Sequence, residues 1–191
     1  MGTSHFIGIR LSESSDIVGR AESLQNELIG ESELTCLAFT KLQRLHITLA
    51  VLRVEENTNV VETFRASGIS GKIPILVSHV GSFGNNVVFL GLEPNPDLNS
   101  LAFNLEAKFR HFLFKPSNSR FNPHITILKT SQISKPEYKR SIQACVTHFM
   151  SEIPATFEAP LVHLVDRIDL CCMKSAPPKD GYYEIVESLY L

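Results

Sequence analysis

One three-part pattern runs twice through this sequence. An apolar, partly alternating stretch starts at Phe6 (FIGIRL), a helical periodicity follows, and a strand opens on His46-Ile47-Thr48. A second stretch starts at Val88 (VFLGLE), another helical periodicity follows, and a strand opens on His124-Ile125-Thr126. Neither unit can bury its apolar faces alone, so the two are expected to pack as one body. The fold expected is α+β: one bilobal, pseudo-symmetric domain over residues 1–191. Two antiparallel sheets should line a central cleft, with the helices outside. A chain of 191 residues can bury a sizeable core without disulfides or metals, and no linker divides it.

The remaining elements fill in around the repeat. Residues 5–11 read as a strand. Ile17, Ala21, Leu24 and Leu28 recur at helical spacing, with Gly30 as the expected stop. Residues 45–54 read as the first motif strand, and Val60, Val61 and Phe64 as a short helix. Residues 73–80 and 87–92 read as strands joined across Gly81–Asn86, a hairpin signal. Leu98, Leu101, Leu105, Phe109 and Phe112 mark a longer helix, residues 124–129 the second motif strand, and Ile142 to Phe149 another helix. Strands at 161–172 and 182–190 close the chain.

Composition excludes some classes. Net charge is −2, from 18 Lys and Arg against 20 Asp and Glu, and there is no basic run. An extended nucleic-acid surface is therefore not expected, while a small phosphorylated ligand in a local positive pocket fits. No apolar run approaches the length of a membrane span, so no membrane partner is expected. Cys36, Cys145, Cys171 and Cys172 lack CxxC spacing and read as reduced thiols of a cytoplasmic or nuclear protein.

The chemistry sits in the two tripeptides. Side chains alternate along a strand, so His and Thr of each motif share one face and the Ile between them points into the apolar layer. Related by a pseudo-twofold axis, two imidazoles and two hydroxyls converge on one cleft. Phosphodiester cleavage needs that set: a neutral imidazole to take a proton from the attacking hydroxyl, and a protonated one to give a proton to the leaving oxygen. Threonine hydroxyls can donate to the non-bridging oxygens. Carboxylates or thiolates at zinc-ligand spacing are missing around either motif, so neither metal nor cofactor is expected. The bland alternative is that both are ordinary strand residues. Arg44 and Arg120, just upstream of the motifs, offer positive charge for a phosphate or a solvated surface. Phe6, Tyr182 and Tyr183, read as strand residues flanking the cleft, are candidates to stack on a base or to fill the core.

Paired H-x-T motifs in a duplicated chain resemble the 2H phosphoesterase superfamily with its LigT-like fold. The flanks HFIGIRL, LHITLAVL, SFGNNVVFLGL, RFNPHITILK and IDLCCMKSAPPKDGYY look like the central domain of A-kinase anchoring proteins. That resemblance implies His46 and His124 as catalytic residues and Thr48 and Thr126 as phosphate ligands. It also implies action on a small RNA-like substrate, a 2′,5′-linked oligoadenylate being the leading candidate. A nucleotide-sensing module without catalysis and a 2′,3′-cyclic phosphodiesterase are the alternatives. Kinase anchoring is not supported, because in that family the anchoring helix lies beyond this domain.

Overall fold

The computed structural model describes residues 4–55, 59–114 and 121–191. Its first unit is β1 (His5–Arg10), α1 (Ser15–Glu31) and β2 (His46–Leu52), with two 3₁₀ turns before β2. A short helix, α2 (Val60–Arg65), leads to β3 (Ile73–Phe83). The second unit is β4 (Val87–Leu92), α3 (Pro96–Lys108) and β5 (His124–Lys129). The chain ends with α4 (Pro136–Glu152), β6 (Thr156–Val165), β7 (Arg167–Cys172) and β8 (Glu184–Tyr190). Among the described residues, no helix is long and apolar enough to cross a membrane.

The two expected sheets are two four-stranded antiparallel halves, β6-β3-β4-β5 and β2-β1-β7-β8. They meet edge to edge through β2 and β5 and make one continuous eight-stranded sheet. The junction is a single pair, Ile47 opposite Ile125. The middle residues of the two tripeptides thus stand on the pseudo-twofold axis. Around them the registers match: Ile9 lies opposite Ile47 and Leu90 opposite Ile125, while Gly8 faces Thr48 and Phe89 faces Thr126.

Each motif strand then carries one extra residue at the same place. Pairing steps from Gly8–Thr48 to Ile7–Ala50, leaving Leu49 over, and from Phe89–Thr126 to Val88–Leu128, leaving Ile127 over. Burial shows the same break in alternation, with Leu49 and Ala50 both buried and Ile127 and Leu128 both buried. A bulge of this kind bends its strand and re-aims the side chains beyond it.

The helices brace the junction crosswise. α1 lies against β5 and α3 against β2, so each unit's helix covers the other unit's motif strand. α1 buries Ile17, Ala21, Leu24 and Leu28, and α3 buries Leu98, Leu101, Ala102 and Leu105. The start of α3 is set by Asn95, whose side chain accepts from the Leu98 N–H at 2.9 Å, with Pro96 in the first turn. Ile47 and Ile125 are fully buried between sheet and helices. Ile47→Ala or Ile125→Ala should each lower stability by about 2–5 kcal/mol, because the crossed helices limit collapse around the cavity. Denaturant midpoints measure this, and a near-neutral alanine at either position would show that the junction is not part of the core.

Several boundaries differ from the expected ones. α1 passes through Gly30 to Glu31, since buried Leu28 anchors its last turn and the Leu28 carbonyl accepts from Ser32 N–H and Thr35 Oγ. β3 continues to Phe83, which tightens the hairpin turn to Gly84–Asn86, with Gly84 at φ +56°. The last helical turn marked by Phe109 and Phe112 lies beyond α3, which ends at Lys108. The stretch at 161–172 is two strands that turn at Asp166. The final strand starts at Glu184, so Tyr182 and Tyr183 stand in the preceding loop.

Candidate active site

His46, Thr48, His124 and Thr126 all line one cleft of about 820 Å³. All four are half-buried. Because β2 and β5 run antiparallel through the Ile47–Ile125 pair, His46 stands beside Thr126 and Thr48 beside His124. Each imidazole therefore neighbours the other motif's hydroxyl. Neither threonine hydroxyl makes a hydrogen bond to another described residue.

The tautomers follow from the backbone. His46 Nδ1 lies 2.7 Å from the Arg44 carbonyl, and His124 Nδ1 lies 2.9 Å from the Asn122 carbonyl. A carbonyl only accepts, so each Nδ1 carries a proton and donates it. The reactive nitrogen on both rings is then Nε2, free of hydrogen-bond partners among the described residues. The same i−2 anchor in both motifs repeats the pseudo-symmetry at atomic level.

Aromatic walls hold the rings. The His46 ring centroid is 4.8 Å from that of Phe6 and 5.5 Å, edge-on, from that of Tyr183. His124 sits 4.9 Å, edge-on, from Phe83 and 5.4 Å from Phe89. Phe6 reaches its place only because position 8 is glycine. A Cβ on Gly8 would stand 2.9 Å from the Phe6 ring and 2.8 Å from the Ile47 carbonyl oxygen.

Phe6 and Tyr183 line the cleft as candidates, but Tyr182 does not. Its side chain is fully buried, with the Arg10 guanidinium 4.5 Å over its ring. Sequence alternation could not separate the two tyrosines, because both precede β8. Arg44 is neither a solvated surface group nor a bare cation. Its Nε donates to the Gly181 carbonyl at 3.1 Å and its guanidinium lies 5.0 Å over Tyr183, so it props Tyr183 against His46. Asp180 in the same loop accepts from Arg10 at 2.9 Å. Arg120 lies outside the described residues.

Lys129, Phe83 and Phe89 are site residues that the sequence reading missed. Strict alternation from His124 puts Lys129 on the wrong face, and the bulge at Ile127 turns it into the cleft. The available signal was the apolar doublet after each threonine, Leu49-Ala50 and Ile127-Leu128. Among the described residues, the cleft lining holds Lys41, Arg44 and Lys129 and no carboxylate, in a chain whose net charge is −2. Burial pulls both imidazoles below the ordinary histidine pKa. The backbone hydrogen bonds oppose this, and Lys129 lowers both further; His46 also feels His124. Among the described residues, no group of three or more His, Cys, Asp or Glu is placed to hold a metal ion.

A family model described as the AKAP7 2'5' RNA ligase-like domain matches residues 3–191. Human A-kinase anchor protein 7 isoform gamma is 26% identical over 205 residues, covering 98% of this chain and 57% of that protein. The chain thus spans just over half the length of that relative. Escherichia coli LigT complexed with 3'-AMP matches with a TM-score of 0.69 at 20% identity, covering 99% of this chain and 98% of LigT. LigT complexed with NADP+ matches with a TM-score of 0.70 at 20% identity, covering 99% and 97%. TT0787 of Thermus thermophilus matches with a TM-score of 0.68 at 17% identity, covering 98% and 97%. At these identities the structural likeness establishes the LigT-like fold.

Proposed function

The chain belongs to the AKAP7 2'5' RNA ligase-like domain family, and from that premise we propose that it is a phosphodiesterase of the 2H type acting on small RNA-like substrates, 2′,5′-linked oligoadenylates first among them. The observation that carries the reading is the pair of imidazoles with identical tautomers, each beside a threonine hydroxyl, in a cleft whose described lining is cationic and holds no carboxylate. Residues 1–191 form the bilobal domain in this reading, because each unit's helix covers the other's motif strand. The four cysteines are free thiols, which suits a reducing cytoplasmic or nuclear setting.

On a 2′,5′ linkage, His46 Nε2 takes the proton of the vicinal 3′-hydroxyl, whose oxygen attacks phosphorus. His124 Nε2–H gives its proton to the departing 5′-oxygen as the P–O5′ bond breaks. The products are a 2′,3′-cyclic phosphate and a free 5′-hydroxyl. The assignment of roles follows the environments. His46 is the more deeply buried imidazole, so burial disfavours its charged form more, and we take it as the base and His124 as the acid. Thr48 and Thr126 donate to the non-bridging oxygens.

The test is incubation with 2′,5′- and 3′,5′-linked oligonucleotides in EDTA, followed by product analysis. Side chains supply both proton transfers and the oxygen contacts, so turnover should persist under chelation. Binding of nucleotides with no cleavage of either linkage would favour the non-catalytic sensor instead.

The pH profile is a second check. Both imidazoles lie below 6.5 in the free protein, and kcat/KM reports the free enzyme. Its bell should therefore be centred on the acid side of 6.5. Bound phosphate favours the charged imidazole, so the kcat bell should sit at higher pH. Removing Lys129, which depresses both rings, should move the kcat/KM bell upward. A kcat/KM profile that keeps rising above the ordinary imidazole pKa would contradict the assignment.

A further inference from the structure

The two ends of the cleft differ in chemistry. β2 and β5 are antiparallel, so their C-terminal ends leave the Ile47–Ile125 junction in opposite directions. At the end of β2, Val51 lies opposite Phe6, and Met173 and Tyr183 pack against Phe6. This end is apolar. The matching position on β5 is Lys129, opposite Val87. Beside it, the segment Phe39–Lys41 is held to β5 by the Phe39–Leu128 bridge and by Thr40 N–H donating to the Ile127 carbonyl at 2.8 Å.

Three donors at this second end are uncommitted. Lys41, Thr40 and Ser131 line the cleft, and their side chains make no hydrogen bond or ion pair with another described residue. Two other cations described in the cleft are accounted for. Arg44 is bound to Gly181 and Tyr183, and Lys129 stands close enough to lower both imidazoles, as Lys41 does not. Lys129 is thus the cation nearer both imidazoles, and no described carboxylate forms an ion pair with Lys41. The cleft's volume, about 820 Å³, lies in the upper part of the range for sites that enclose one small ligand.

We propose that the Lys41 end of the cleft, with Thr40 and Ser131, is a subsite for a second phosphoryl group carried by the same nucleotide whose first phosphate sits between His46 and His124. The proposal deepens the phosphodiesterase reading and rests on it. The preferred substrate is then a short oligonucleotide bearing a terminal phosphate, with one base at the apolar end beside Val51, Met173 and Tyr183.

The experiment compares 2′,5′-diadenylate with its 5′-phosphorylated and 3′-phosphorylated forms, in the wild type and in Lys41→Ala and Lys41→Gln. One phosphorylated form should show a kcat/KM about tenfold above the unphosphorylated dimer, the scale of one charge-assisted contact in a partly exposed site. That advantage should vanish in both variants and shrink with added salt. Equal kcat/KM for all three dimers, or an advantage that survives both substitutions, would overturn the subsite. If no dimer is cleaved, the phosphodiesterase reading fails, and calorimetric titration still decides the subsite. Adenosine 2′,5′-bisphosphate should then bind about tenfold tighter than adenosine 2′-phosphate in the wild type, and no tighter in Lys41→Ala.

Discussion

His46→Ala and His124→Ala should each reduce kcat on a 2′,5′-linked dimer by at least about 10²–10⁴-fold, the usual contribution of one positioned acid or base. The double variant should be little worse than either single one. A base without its acid leaves a strong leaving-group barrier, and an acid without its base leaves a neutral hydroxyl as nucleophile, so the two act as a unit. Stability should change little by comparison, since both rings are half-buried and each gives up one hydrogen bond to a backbone carbonyl. The roles separate on a substrate with an activated leaving group, such as a nitrophenyl phosphodiester of a nucleoside. That substrate needs no proton at the leaving oxygen, so it should rescue His124→Ala and not His46→Ala. Rescue of His46→Ala alone would exchange the roles. Near-full activity of both alanine variants on the dimer would place the chemistry elsewhere.

The repeat was legible because it is written in residues that physics constrains from two sides. Histidine and threonine two apart on a strand must share a face, and the isoleucine between them must be buried; the structure puts Ile47 and Ile125 together on the axis between the halves. What alternation cannot show is where it breaks. The bulges at Leu49 and Ile127 reverse the faces beyond them, and so Lys129 enters the cleft from a position that simple parity assigns to the core. Tyr182 and Tyr183 were ambiguous for a related reason: they belong to a loop whose course is set by Arg10 and Arg44, residues more than a hundred positions away. The partners of long-range ion pairs leave no local trace in a sequence. Phe83 was hidden by the hairpin itself, since its contact with His124 depends on β3 reaching past Gly81, and Phe89 reaches His124 from the neighbouring strand β4.

Thr48→Val and Thr126→Val should each lower kcat by ~10–10³-fold, with a smaller effect on KM. Valine keeps the β-branched shape that a strand favours and removes only the hydroxyl. The site should therefore stay folded, and the loss should report the hydrogen bond. The range is wide because the worth of such a donor depends on its aim at charge that develops in the transition state. The junction geometry argues for good aim in both. Ile47 opposite Ile125 sets Thr126 beside His46 and Thr48 beside His124, so each hydroxyl stands next to one of the two imidazoles. Neither hydroxyl is drawn away by a partner among the described residues. Serine restores a hydroxyl at the same carbon with more rotational freedom, so Thr→Ser should recover most of the rate and Thr→Val should not. A contact made equally in the ground state would raise KM with kcat unchanged. If both valine variants turn over at the wild-type kcat, the threonines do not hold transition-state charge, and that task passes to Lys129, a cation placed near both imidazoles.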